Sequence, residues 1–160
     1  MMNPRPANSN TRLTVALIGV LSVAVGILLV MSITRRLNAP KADPNNVSLV
    51  AQGQQVYAAQ CASCHGANLE GQPSWKDDLA TGGKPAPPHD ATGHTWHHAD
   101  EPLFGIIKNG GQAYSPASYK NNMPAFGSKL NDDEIWATMA YIKSRWPAEI
   151  QAQQLSRNTK

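Results

Sequence analysis

Cys61-Ala62-Ser63-Cys64-His65-Gly66 closes a helical stretch that begins near Ser48, and its chemistry decides what the surrounding chain must build. Two thiols three residues apart on a helix project about one turn apart from the same face, with an imidazole directly after them. Such a set suits three tasks. The thiols can add to the two vinyl groups of a haem while the histidine meets the iron, they can form a redox-active pair, or they can supply half of a zinc site. A redox C-x-x-C is expected after a strand in a βαβ unit, whereas a helix precedes this one. With two cysteines in the whole chain, a four-cysteine zinc site and a disulfide-stapled scaffold are both excluded. Covalent attachment of one haem uses every residue of the motif.

Outward from the motif, three helices are legible. The first covers about residues 48–59, with Val50, Gly53, Tyr57 and Cys61 on one face. Gly53 on that face admits a second helix at close range. A short helix follows Asp100, with Pro102 in its first turn, Leu103, Ile106 and Ile107 on one side, and Gly110 as its stop. The last is capped by Asn131, with Glu134 completing a capping box. Ile135, Met139, Ile142 and Trp146 then fall on one face, and Pro147 ends it. No alternating strand of useful length is present, so the predicted class is all-α with long loops.

A haem iron held by one histidine needs a sixth ligand or an open position. Of the five methionines, Met1, Met2 and Met31 lie in or before an apolar run, and Met139 sits on the core face of the last helix. Met123, in Asn121-Asn122-Met123-Pro124-Ala125-Phe126-Gly127, is the remaining candidate, with Pro124 stiffening the backbone behind it. A thioether opposite an imidazole raises the potential and closes the iron to small ligands. An iron so held transfers electrons and needs no catalytic dyad.

Residues 13–33, LTVALIGVLSVAVGILLVMSI, carry no charge over 21 positions, against about 20 needed to cross a bilayer as a helix. A cleaved signal has a shorter apolar region ending at a small-x-small site; here Arg35 and Arg36 follow directly, and an uncleaved anchor is expected. The net charge of +3 and pI near 9.0 come from its flanks. Arg5, Arg12, Arg35 and Arg36 bracket the apolar run, and from residue 38 onward ten basic residues face eleven acidic ones. A nucleic-acid footprint requires basic residues clustered on a folded face, so no nucleic-acid partner is expected. The expected organisation is a short cytoplasmic tail (1–12), an anchor (13–33), a linker (34–46), one small domain (47–147) and a polar C-terminal tail (148–160). Arginines on both sides leave the positive-inside count equivocal.

Over about residues 47–147 the chain resembles class I cytochrome c. The resemblance rests on G-x-x-x-Y ahead of C-x-x-C-H-G, then M-P-x-F, then L-N-D-D-E-I-W, Y-I and a terminal W-P, in that order. It implies a helical fold whose first and last helices cross near Gly53 and the Tyr141 region. It also implies one haem c on Cys61 and Cys64, with His65 and Met123 as axial ligands and Pro87 or Pro88 offering a carbonyl to His65 Nδ1. The implied function is one-electron transfer, with redox proteins at the membrane as partners. Because this family receives its haem outside the cytoplasm, the domain is expected on the extracytoplasmic side of a bacterial cytoplasmic membrane.

The stretch between Gly66 and Asn122 departs from the compact family pattern and holds His89, His94, His97 and His98. It admits a metal site or an alternative iron ligand. It equally admits a loop covering the haem edge, with Trp96 or a histidine bonding a propionate. The alternative to a carrier is accordingly a haem or metal subunit of a periplasmic redox enzyme complex.

Overall fold

The computed structural model describes residues 9–37 and 41–158 and divides the chain into two units, Met1–Pro40 and Lys41–Lys160. The first unit is helix α1, Ser9–Leu37. Within it Thr14–Thr34, 21 residues, is long and apolar enough to cross a membrane, one position from the expected span. Hydroxyls inside the segment return their hydrogen bonds to the helix: Ser22 donates to Ile18 O at 2.8 Å and Ser32 to Leu29 O at 2.8 Å. These polar side chains therefore need no water.

In the second unit α2 (Val47–Gln60) runs into the single turn α3 (Ala62–His65), followed by α4 (Asp100–Asn109), α5 (Asp132–Ser144) and α6 (Ala148–Leu155). No strand occurs among the described residues. The helix ends follow their local signals. Asn46 Oδ1 accepts from Leu49 N–H at the start of α2. At α5 Asn131 Oδ1 accepts from Glu134 N–H at 3.0 Å, and Glu134 Oε2 accepts from Asn131 N–H at 2.9 Å, the reciprocal pair expected of that spacing.

Helices α2 and α5 cross at Gly53, where an added Cβ would collide with the Ala137 carbonyl. The contact lies one helical turn before Tyr141, which the crossing brings to within 5.4 Å of Tyr57, ring to ring. Two apolar clusters flank it. One holds Phe126, Leu130, Ile135, Trp136 and Met139, and the other Tyr57, Leu69, Tyr141, Ile142 and Trp146.

Both expected ends of the domain need correction. Residues 34–46 are not all linker: α1 continues to Leu37, and Ala42 is fully buried in the first cluster, so the second unit begins at Lys41. Within the expected polar C-terminal tail, residues 148–158 are described and include helix α6, which is docked. Ile150 of α6 packs on the Tyr57 cluster and Gln154 is fully buried. Polar bonds do most of this docking. Asp100 and Lys143 form a buried ion pair, with Nζ 2.9 and 2.8 Å from the two carboxylate oxygens. Gln154 Nε2 donates to Asp100 Oδ1 at 2.7 Å, and Asn158 Nδ2 donates to Asp100 Oδ2 at 2.8 Å. Asn158 Oδ1 accepts from the Asp100 N–H.

Two substitutions test these contacts. Gly53→Val forces α2 and α5 apart and is expected to cost about 3 kcal/mol, the upper part of the range for overpacking. Asp100→Ala strands the Lys143 ammonium without its counter-charge and is expected to cost about 3–5 kcal/mol. Denaturant unfolding of the haem-loaded protein measures both, and losses below about 0.5 kcal/mol, as for ordinary surface changes, would contradict the two accounts.

Candidate functional site

The site starts where α2 stops. Cys61 caps α2, with its N–H on Tyr57 O at 2.9 Å, and also opens α3, accepting from His65 N–H at 2.9 Å. Tyr57 is buried and its hydroxyl donates to Gly66 O at 2.9 Å, tying the helix to the far end of the motif. Burial raises the Tyr57 pKa, with Cys61 adding to the effect, so this hydroxyl keeps its proton and its donor role. Cys61 is half-buried, Cys64 is exposed, and both are free thiols. Burial, helped by Cys64, pushes the Cys61 thiol up to about 11. This favours the protonated form of Cys61, the opposite of the lowered value that a reactive redox cysteine uses.

His65 is 8% exposed, and its Nδ1 lies 2.9 Å from Pro87 O. A carbonyl can only accept, so Nδ1 carries the hydrogen and Nε2 keeps its lone pair. Burial lowers the His65 pKa, partly opposed by the Pro87 carbonyl. The ring is thus a neutral imidazole with one nitrogen free to bind a metal. Of the two prolines considered, Pro87 is the one in place.

The His89 ring, which stacks on His65, also lines an apolar cavity. Helix α4 contributes Leu103, Ile106 and Ile107 to its wall, and α5 contributes Met139 and Ile142. Met123 lines it from the loop before α5. That loop is held in place: the Met123 N–H donates to Asn121 Oδ1 at 3.0 Å, and Met123 O accepts from Gly111 N–H at 3.0 Å. His89 lines the same cavity, and its ring stacks on His65 with centroids 4.0 Å apart. Burial holds the His89 pKa well below its ordinary value, with His65 and His94 adding to the effect.

Trp96 donates its indole N–H to Gly93 O at 3.1 Å and its ring stacks on His97 at 3.7 Å; it does not line the cavity. Trp146 does, while donating to His89 O at 2.7 Å. His94, His97 and His98 are exposed. Among the described residues no group of three or more His, Cys, Asp or Glu is arranged to hold a metal ion. Sequence reasoning did not single out the His89 ring as the partner of His65. The available signal was its position two residues after Pro87.

The arrangement fits a covalently held porphyrin. Two unpaired thiols sit one turn apart, an imidazole has its Nδ1 bonded and its Nε2 available, and the cavity reached past His89 is apolar with the thioethers of Met123 and Met139 in its wall. A Cytochrome c family model matches residues 50–146. Cytochrome c6 of Diacronema lutheri is 31% identical over 100 residues, covering 60% of this chain and 95% of that protein. The cbb3-type cytochrome c oxidase subunit FixP of Sinorhizobium medicae is 28% identical over 106 residues, covering 64% of this chain but 32% of that one. No solved structure matches it. By fold, motif and relatives together the chain belongs to the cytochrome c family, and is a haem c protein that carries electrons.

Proposed function

We propose that this chain is a membrane-anchored monohaem carrier in which Cys61 and Cys64 would hold the haem by thioether bonds and His65 Nε2 and Met123 Sδ would bind its iron. Each thiol would add across one vinyl group, sulfur to one carbon and hydrogen to the other, so nothing would leave. The bound haem supplies a one-electron couple at its iron. The remaining tasks fall to the chain. Pro87 orients His65 through Nδ1 and raises its basicity. The apolar side chains of α4 and α5 exclude water from the cavity. Met123, fixed by Asn121, closes the second axial position to small molecules.

The observation that carries this reading is a His65 ring locked by Pro87 and stacked on His89, whose ring lines the same apolar cavity as the Met123 thioether. Held between His65 and Met123, the iron would have no open position for a substrate, which favours a carrier over an enzyme. The Thr14–Thr34 helix supports the anchor. Attachment of haem outside the cytoplasm, the family habit, supports an extracytoplasmic position for the domain. Anchoring confines encounters to the membrane surface and raises the effective concentration of partners there. The similarity to an oxidase subunit supports membrane redox complexes as those partners.

Met123→Ala is expected to turn the haem high-spin and ligand-accessible and to lower its reduction potential. Optical titration reads both, and an unchanged low-spin spectrum with an unchanged potential removes Met123 from the ligand set. Cys61→Ser combined with Cys64→Ser deprives a small core of its largest apolar component. That double variant is expected to lose most of the helical circular dichroism of the second unit; full native helicity without haem would contradict it.

A further inference from the structure

His89 is an unusual occupant of a cavity whose other walls are mostly aliphatic. A leucine would fill the same space without the cost of burying polar nitrogens. Here the cost is met by construction: His89 Nδ1 lies 2.8 Å from Thr95 Oγ1, a hydroxyl able to give or take the hydrogen. The backbone of the residue is clamped from two other parts of the fold. Its N–H donates to Leu69 O at 2.7 Å, and its carbonyl accepts from Trp146 Nε1 at 2.7 Å. Behind it the turn at Gly93 packs so closely on Pro88 that a Cβ at residue 93 would strike the Pro88 carbonyl. Little in this segment is free to move.

Two features of the same three residues act on one ring. The carbonyl of Pro87 holds the Nδ1 edge of His65, and the His89 ring lies against its face, 4.0 Å away and tilted by 25°. A hydrogen bond to one edge leaves a ring able to rock about that bond, and a plane pressed on its face removes the rocking. The stack also fixes what His89 is not. A ring lying flat on His65 approaches from the same side as His65, so it cannot be the ligand opposite it.

We propose that His89 is a positioning residue, whose stacked ring sets the plane of the His65 imidazole about its Cβ–Cγ bond. This rests on His65 as an axial ligand. The orientation of an axial imidazole plane determines how its π orbital overlaps the iron d orbitals, and so which of two nearly equal d levels lies higher. Electron paramagnetic resonance g values and the paramagnetic shifts of the haem methyl protons report that ordering directly.

The test compares His89→Phe, which keeps a flat ring, with His89→Leu, which does not, in the haem-loaded full chain. His89→Leu is expected to move the low-spin g values and reorder the methyl shifts, and His89→Phe to keep the wild-type pattern. Wild-type spectra from His89→Leu, or equal displacement in both variants, overturn the proposal, since a merely space-filling residue would behave in one of those ways. If His89→Leu yields no haem-loaded protein, Thr95→Val serves instead: it leaves the imidazole but removes its Nδ1 partner. Broadened or shifted methyl resonances are then expected, and sharp wild-type resonances overturn the idea. The proposal and the ligand assignment fail separately. A wild-type iron that is not six-coordinate defeats Met123 as ligand, and the difference between His89→Leu and His89→Phe is then read from the haem methyl shifts, to which the His65 plane contributes whatever the sixth ligand.

Discussion

Because residue 53 has no side chain, α2 and α5 can close until the Gly53 backbone rests on the Ala137 carbonyl. Everything around the haem site is registered to that contact. It sets Tyr57 beside Tyr141, and Tyr57 in turn holds Gly66 at the end of the cysteine motif. From the α5 side it presents Met139 and Ile142 to the cavity. A methyl group at position 53 would therefore act on the site at a distance, by changing the separation of the two helices that frame it.

Around this frame the chain treats the histidine of the motif as the part that must not move. Pro87 bonds its edge and His89 covers its face, and His89 is itself tied to Leu69, Thr95 and Trp146. The thioether side is held differently, by side-chain hydrogen bonds from Asn121 within its own loop. A carrier gains from such rigidity, since little rearrangement then accompanies the arrival or departure of an electron. The C-terminal helix extends the same logic. Gln154 donates to the His98 carbonyl as well as to Asp100, so α6 steadies the loop that carries the stacked ring.

What the sequence revealed and what it concealed divide along a physical line. The capping box of α5, the glycine on α2 and the spacing of Cys61, Cys64 and His65 are local signals, readable within a turn or two of helix. Met123 was reached by elimination, and it lines the cavity together with Met139. The docking of α6 left no such trace: it depends on Gln154 and Asn158 reaching Asp100 across 54 and 58 residues, and polar contacts at that range leave no hydrophobic period. Ala42 is one small residue in a polar stretch, and nothing nearby marks it as core. For Trp96 the sequence offered a haem propionate as partner but gave no sign of the local bond that its indole N–H makes to the Gly93 carbonyl. The His89 stack escaped because it requires knowing that the loop folds back over His65.

The account stands or falls on an iron sealed on both sides by His65 and Met123. The measurement that tests this most directly is the absorption spectrum of the reduced, full-length haem protein before and after addition of carbon monoxide. A sealed iron predicts a low-spin spectrum that the gas does not alter. A five-coordinate spectrum, or a Soret band that shifts as carbon monoxide binds, would contradict it and point instead to an open site at which the iron meets a substrate.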